Sequence, residues 1–194
     1  MALGFNGGTN VITGLATGGL PDGSVDQDSL ASSVNTIIYS DMWRLTSSFD
    51  DDSDPISSNW ERVDNNGEGV IGAVSAPSSG IWTLPATGIW HIHFHIQGAA
   101  LNENNAWPSA YIYTTVDNGS NWLKTGIGHQ ATIDGSASWQ YFQVDSHVFL
   151  DVADTSNVKF KLTTKNDGSS GNIRTTGNTE ENQTFVQMIR LGGT

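Results

Sequence analysis

The sequence predicts an all-β domain, and three observations support this fold class. Its 194 residues include 22 glycines and many Thr, Val, Ile and Ser residues, a composition that favours strands and turns. Residues 88–97 alternate between apolar and polar side chains, as a half-buried strand does. Several later segments show the same alternation of apolar and polar residues, and turns rich in Gly, Asn and Asp separate them. Together they predict an antiparallel sandwich of about ten strands without a helix.

Residues 88–97 form the clearest of these strands. One face carries four apolar residues that should enter a core, and the other carries three histidines. The apolar set is Trp90, Ile92, Phe94 and Ile96, and the histidines are His91, His93 and His95. Three imidazoles in a row are too polar for a core and unusual on an open surface. We therefore expect a partner subunit to cover them.

Residues 1–34 differ in composition from the rest of the chain. They are rich in Gly, Thr, Ser and Asp, and their isolated apolar residues form no periodic face. Such a segment cannot build a core. We therefore expect an extended arm over residues 1–34 and one globular domain over residues 35–194, where the apolar content rises.

Nine further strands are expected in this domain. They cover residues 37–45, 59–63, 81–85, 110–116, 122–125, 139–144, 147–152, 157–162 and 184–191. Asn118-Gly119 predicts a hairpin turn. Residues 98–105 predict a polar loop, and residues 166–183 predict a long polar loop of the kind that carries recognition on β-scaffolds.

Two segments allow alternative interpretations. The acidic run from Asp50 to Asp54, closed by Pro55, predicts a solvated surface loop. Calcium binding is the alternative, although the run lacks the glycine and the bidentate glutamate of an EF-hand loop. In the closing strand, Val186, Met188 and Arg190 share one face. We expect this face to point outward and to be covered by a partner subunit.

A resemblance to a known family adds to this interpretation. Residues 84–95, Leu-Pro-Ala-Thr-Gly-Ile-Trp-His-Ile-His-Phe-His, resemble the P-x-G-aromatic segment of C1q and tumour-necrosis-factor-like jelly rolls. Later strands follow in that family's order, so the resemblance covers roughly residues 37–194. It implies a jelly roll and a homotrimer, with His95 on a strand near the threefold axis. The family has aromatic and small residues where His91 and His93 stand.

The trimer interface predicted from these observations combines both strands. Its members are His91, His93, His95, Val186, Met188 and Arg190. A metal site is the alternative for the three histidines, since alternate imidazoles on one strand face occur in β-sheet metal sites. No metal is assigned on this basis.

The arm resembles a second class of sequence. Residues 18–31, Gly-Gly-Leu-Pro-Asp-Gly-Ser-Val-Asp-Gln-Asp-Ser-Leu-Ala, are similar to the leader of many tailed-phage virion proteins. That resemblance implies attachment to a capsid or tail protein, and a flexible linker is the alternative. The apolar residues expected to anchor the arm are Phe5, Val11, Ile12, Leu15, Leu20 and Pro21.

Composition and motifs argue against several functions. The net charge of −12 should repel nucleic acid, and no apolar run approaches the roughly 20 residues of a membrane span. The chain has no cysteine, no G-x-S-x-G phrase and no phosphate-binding loop, so we expect neither an enzyme nor a cofactor. The start shows no signal peptide, which predicts synthesis in the host cytoplasm.

The sequence as a whole predicts a trimeric virion protein of a tailed phage, a decoration or fibre protein that displays a jelly roll outward. A lectin-like carbohydrate-binding module and a tail receptor-binding protein are the alternatives. Trp107 and Trp122, both near loops, are the candidate contacts for a host surface glycan.

Overall fold

The computed structural model describes residues 4–6, 11–13, 37–65, 67–101, 106–132, 139–166 and 172–194. Their regular secondary structure is entirely β, which confirms the predicted fold class. In these residues no helix is long and apolar enough to cross a membrane. The chain divides into two compact units, residues 1–36 and residues 37–194.

The first unit contains a short pair of strands that the composition did not predict. Strand β1 (Gly4–Asn6) pairs antiparallel with β2 (Val11–Thr13), with Phe5 opposite Ile12. Three of the expected anchoring residues, Phe5, Val11 and Ile12, therefore lie on strands. The other three, Leu15, Leu20 and Pro21, lie outside the described residues.

The second unit contains eleven strands in its described part. In chain order they are β3 (Ser40–Leu45), β4 (Phe49–Asp50), β5 (Trp60–Arg62), β6 (Ile81–Thr83), β7 (Gly88–Leu101), β8 (Pro108–Thr115), β9 (Leu123–His129), β10 (Trp139–Val152), β11 (Lys159–Asn166), β12 (Ile173–Thr175) and β13 (Phe185–Gly192). The first sheet has the order β4-β12-β7-β13-β3-β5, and β10 also pairs with β7. The second sheet has the order β6-β11-β8-β9.

The ladder between β7 and β10 is the longest in the structure. It runs from Gly88 opposite Val152 to Leu101 opposite Trp139 without a shift of register. The expected strands 139–144 and 147–152 are therefore one strand, because Ser146 points inward and is buried without breaking the alternation. The predicted end of β7 at Gln97 was also short by four residues.

The core between the two sheets is aromatic at its centre. Trp82 of β6 stacks on Phe160 of β11, with ring centroids 5.8 Å apart, and packs edge-on against Trp43 of β3 at 5.7 Å. The four apolar residues of β7 are fully buried, as their alternation predicted. They are Trp90, Ile92, Phe94 and Ile96.

Val186, Met188 and Arg190 share one face of the closing strand, as expected, but this face points into the core and not outward. Val186 and Met188 are fully buried in the core, opposite Phe94 and Ile92 of β7. Residues that are directly opposite in an antiparallel pair share a face, so the register with β7 places these two side chains inside. Arg190 lies on the same inward face at its rim, where its Nε donates to the Thr87 carbonyl at 2.8 Å.

The predicted hairpin at Asn118-Gly119 is confirmed. It connects β8 to β9, and both residues have positive φ, 56° and 92°. Asn and Gly tolerate this backbone conformation, which the tight turns of β-hairpins require. The turn also brings Trp122, immediately before β9, back against the second sheet.

Phe160→Ala should lower the free energy of unfolding by about 3 to 5 kcal/mol, since it removes a fully buried ring from the aromatic centre. Chemical denaturation measures this change. Leu123→Ala is the matched control, because Leu123 is 69% exposed and its truncation should cost less than about 0.5 kcal/mol. A loss below about 1 kcal/mol for Phe160→Ala would contradict the packing described here.

Candidate functional site

The outer surface of the first sheet carries a three-by-three grid of side chains, here called the His face. Each histidine of β7 lies between one residue of β10 and one residue of β13. The three rows are Asp145, His95 and Phe185; His147, His93 and Gln187; and Phe149, His91 and Ile189.

This arrangement follows from the alternation of the three strands. Side chains of a strand point alternately to the two faces of its sheet, and all three strands use their inward residues for the core. The polar and aromatic residues between them must then face outward together. The sequence prediction found the histidines and missed the flanking residues, although residues 144–152 show the same alternation.

The rings of the His face pack against one another. The His95 ring stacks on Phe185 with centroids 4.9 Å apart, and the His93 ring meets Phe185 edge-on at 5.7 Å. The ring centroids of His91 and Phe149 are 5.1 Å apart, and those of His93 and His147 are 5.2 Å apart. These contacts make one continuous imidazole and aromatic surface, on which Phe149 is 70% exposed.

Asp145 is hydrogen-bonded to two of the histidines. His93 Nε2 donates to Asp145 Oδ1 at 2.6 Å, and His95 Nδ1 donates to the same oxygen at 2.8 Å. Burial raises the pKa of the Asp145 carboxyl, but the bonds from His95 and His93 outweigh it and hold this pKa below its usual value. Burial lowers the pKa of His91, and the neighbouring His147 and His93 lower it further.

On both sides of the His face, the neighbouring residues are already packed against other parts of the same chain. On β3, Arg44 lies opposite Phe185 and is fully buried. Its guanidinium lies 3.6 Å from Glu61 and 3.7 Å from Glu68, and it donates to the Asn65 side chain at 3.1 Å. Along β10, the backbone of Gly128 in β9 lies so close to the Asp145 carbonyl that a Cβ there would clash with it.

The structure agrees with only some of the residues predicted for the subunit interface and for metal binding. His91, His93 and His95 do share one outward face, but Val186, Met188 and Arg190 lie on the opposite side of the sheet. In the described part of the chain, the group with ligand atoms close enough for one ion is His93, His95 and Asp145, all within 4.8 Å of one another. Asp145 could not be paired with these histidines from the sequence, since about 50 residues separate them.

Trp107 and Trp122 lie in separate clefts on the outer side of the second sheet. Trp107 is 51% exposed and borders an open cleft of about 600 Å³. The other residues that line this cleft are Ser109, Tyr111, His129, Lys165 and Asn166. Trp122 is half-buried and borders a smaller cleft of about 410 Å³ beside Lys159. The two candidate glycan contacts therefore do not form a single site.

The acidic loop is held by ion pairs to neighbouring strands. Asp50 lies 2.8 Å from Arg174 of β12, and its hydrogen bond to that guanidinium lowers the carboxyl pKa below its usual range despite partial burial. Asp52 and Asp54 lie 2.7 Å from the ammonium groups of Lys165 and Lys161. These carboxylates are therefore paired with cations of both sheets, Arg174 in the first and Lys161 and Lys165 in the second.

Comparison with solved structures identifies the fold. The Eiger TNF protein of S. frugiperda matches 82% of this chain and 96% of its own, with a TM-score of 0.58 and 11% sequence identity. Murine APRIL, in a crystal structure at pH 5.0, matches 79% of this chain and 98% of its own, with a TM-score of 0.51 and 10% identity. The fold is a TNF-like jelly roll. At such identities the likeness concerns the fold alone. No family model matches the sequence, and neither does any curated protein.

Proposed function

We propose that the chain is a structural protein of a tailed-phage virion, a decoration or fibre protein that forms a homotrimer through the His face. Residues 1–34 attach it to a capsid or tail protein, and the jelly roll points outward. The observation that carries the proposal is the His face itself, a continuous surface of imidazole and aromatic rings on the outer side of β10, β7 and β13 in a TNF-like sheet.

The exposed apolar area favours self-association at this face. Phe149 is 70% exposed, and its ring lies beside that of His91, which in turn stacks on His147. Contiguous exposed rings are uncommon on monomeric proteins and typically mark an interface. Their burial stabilises an assembly by about 25 cal/mol for each Å² removed from water.

Charge also favours this face over others for contacts between copies. The chain has a net charge of −12, so most of its surface repels a second copy. Among the nine residues of the His face Asp145 is the single carboxylate, and it is already hydrogen-bonded to His93 and His95. Copies can therefore approach here with little mutual repulsion.

The composition of the arm supports the attachment role, because residues 1–34 carry no periodic apolar face. The buried apolar residues that the structure describes in the jelly-roll core lie between Trp43 and Met188. The arm carries the phrase that resembles the leader of tailed-phage virion proteins. A segment with isolated apolar residues and no periodic apolar face suits docking to another protein of the particle.

Phe149→Asp should convert the trimer to monomers, raising the dissociation constant by at least about 100-fold, because assembly would bury three new carboxylates. Sedimentation velocity of the full chain measures the change. Leu123→Asp is the control, since Leu123 is similarly exposed on the other sheet and should leave the trimer intact. A monomeric wild-type chain, or a trimeric Phe149→Asp variant, would contradict the proposed interface.

Deletion of residues 1–34 should leave a folded trimer that no longer joins the virion, because the arm has no periodic apolar face to contribute to a core. Thermal unfolding reports the fold, and co-sedimentation with purified particles reports attachment. Particles that bind the truncated chain as well as the full chain would show that the arm is not the anchor.

Carbohydrate binding is the second candidate function, and the cleft at Trp107 favours it. Its exposed indole and the Tyr111 ring offer flat apolar surface, while Lys165, Asn166 and His129 offer polar groups around it. Sites for small ligands typically combine a largely apolar wall with a few such polar groups. A receptor-binding role on a virion is compatible with this cleft.

Trp107→Ala should reduce binding to any glycan that a glycan array identifies for the wild-type chain by about tenfold or more, since stacked aromatic surface is lost. Trp139→Ala is the control, because Trp139 is also exposed but lies on the first sheet. Equal binding by the wild type and the Trp107→Ala variant would exclude this cleft as the glycan site.

A further inference from the structure

We infer that His93, His95 and Asp145 of a single chain bind a divalent transition-metal ion on the His face, with Zn²⁺ as the expected ion. The inference goes beyond the proposed assembly, since all three ligands belong to one chain. It rests on the ligand chemistry, the spacing of the ligand atoms and the way in which the surrounding residues hold them.

The ligand set selects the class of metal. Two imidazole nitrogens with one carboxylate oxygen suit zinc and its neighbours among the transition metals. Calcium and magnesium prefer sites made of oxygen atoms, and they would leave the two nitrogens unused. Zinc sites with three protein ligands commonly keep a fourth position for water.

The spacing of the atoms fits one ion. Asp145 Oδ1 lies 2.6 Å from His93 Nε2 and 2.8 Å from His95 Nδ1, and the three ligand atoms lie within 4.8 Å of one another. Ligands about 2.0 to 2.1 Å from a tetrahedral zinc ion are about 3.3 Å apart. Entry of an ion therefore requires small side-chain rotations and no movement of either strand.

The surroundings hold the imidazoles in place. Phe185 stacks on His95 and meets His93 edge-on, so one ring restrains both ligands. The side chains of His93 and His95 are 23% and 14% exposed, whereas that of Asp145 is 47% exposed. In the unassembled chain the carboxylate therefore lies on the open side, where an ion can enter before copies meet on this face.

Binding requires a change of tautomer in each ring. In the free protein the hydrogen bonds to Asp145 place the ring protons on His93 Nε2 and His95 Nδ1. Only a nitrogen without a proton can bind a metal. On binding, the proton of each neutral ring must therefore lie on the other nitrogen, His93 Nδ1 and His95 Nε2.

The test uses the full chain after removal of metals with a chelator and exchange into chelator-free buffer. Isothermal titration with Zn²⁺ should give one ion per chain, and Co²⁺ should produce the visible absorption bands of a tetrahedral site. The absence of saturable Zn²⁺ binding would overturn the inference. A stoichiometry of one ion per three chains would also overturn it, in favour of a site shared between subunits.

Three variants locate the ion. His93→Asn and Asp145→Asn should each weaken Zn²⁺ binding by at least about tenfold, a loss seen even when only the outer partners of metal ligands are removed. His129→Asn is the control, because His129 lies on the second sheet and should bind Zn²⁺ as the wild type does. Unchanged affinity in His93→Asn or Asp145→Asn, with thermal unfolding in chelator equal to that of the wild type, would overturn the inference.

Failure of this site and failure of the proposed trimer are distinguishable. Sedimentation in chelator reports assembly without metal, and titration reports the ion. A trimer that persists in chelator, together with one Zn²⁺ per chain, supports both proposals independently. A trimer without Zn²⁺ binding overturns only the metal site.

Discussion

The register of β7 with β10 on one edge and β13 on the other determines both the core and the outer face of the first sheet. Because alternate side chains of a strand point to opposite faces, a slip of one residue would move the histidines inside and the apolar residues out. Burial of Trp90 and Phe94 against the second sheet excludes that slip. The same constraint therefore aligns His91, His93 and His95 with the outward residues of both neighbours.

The two outer surfaces of the sandwich differ in chemistry as a consequence. The first sheet carries the His face, with many rings and a single carboxylate in its grid. The second sheet carries Lys161 and Lys165, which pair with the acidic loop, and the open cleft at Trp107. The outer surface of the first sheet therefore consists largely of imidazole and aromatic rings, whereas that of the second sheet carries ion pairs and an open cleft.

Much of the fold could be predicted from the sequence, because period-two alternation is a local property. The buried faces around Phe94 and Phe160, the Asn118-Gly119 turn and the outward histidines all follow from residues near one another in the chain. The faces of β13 could not be predicted, since Phe185, Ile189, Val186 and Met188 make both sides of that strand apolar. Only its pairing with β7 decides which side enters the core.

The candidate site was harder to predict than the fold because its parts are distant in sequence. Asp145 reaches His93 and His95 only through the β7–β10 ladder, and a local pattern cannot show which strands pair. Phe185 lies near the end of the chain, and it contacts the rings of His93 and His95 only because β13 also pairs with β7. The expected break between residues 144 and 147 concealed this ladder, because polar Ser146 was not expected to be buried within a continuous strand.

The central claim is that copies of the chain meet on the His face, and the absence of cysteine from the sequence allows a direct measurement. Gln187→Cys places one thiol in the middle row of this face, and Leu123→Cys places one on the other sheet. After mild oxidation at low protein concentration, non-reducing electrophoresis should show covalent dimers for Gln187→Cys and monomers for Leu123→Cys. Monomers for Gln187→Cys beside dimers for Leu123→Cys would contradict the account.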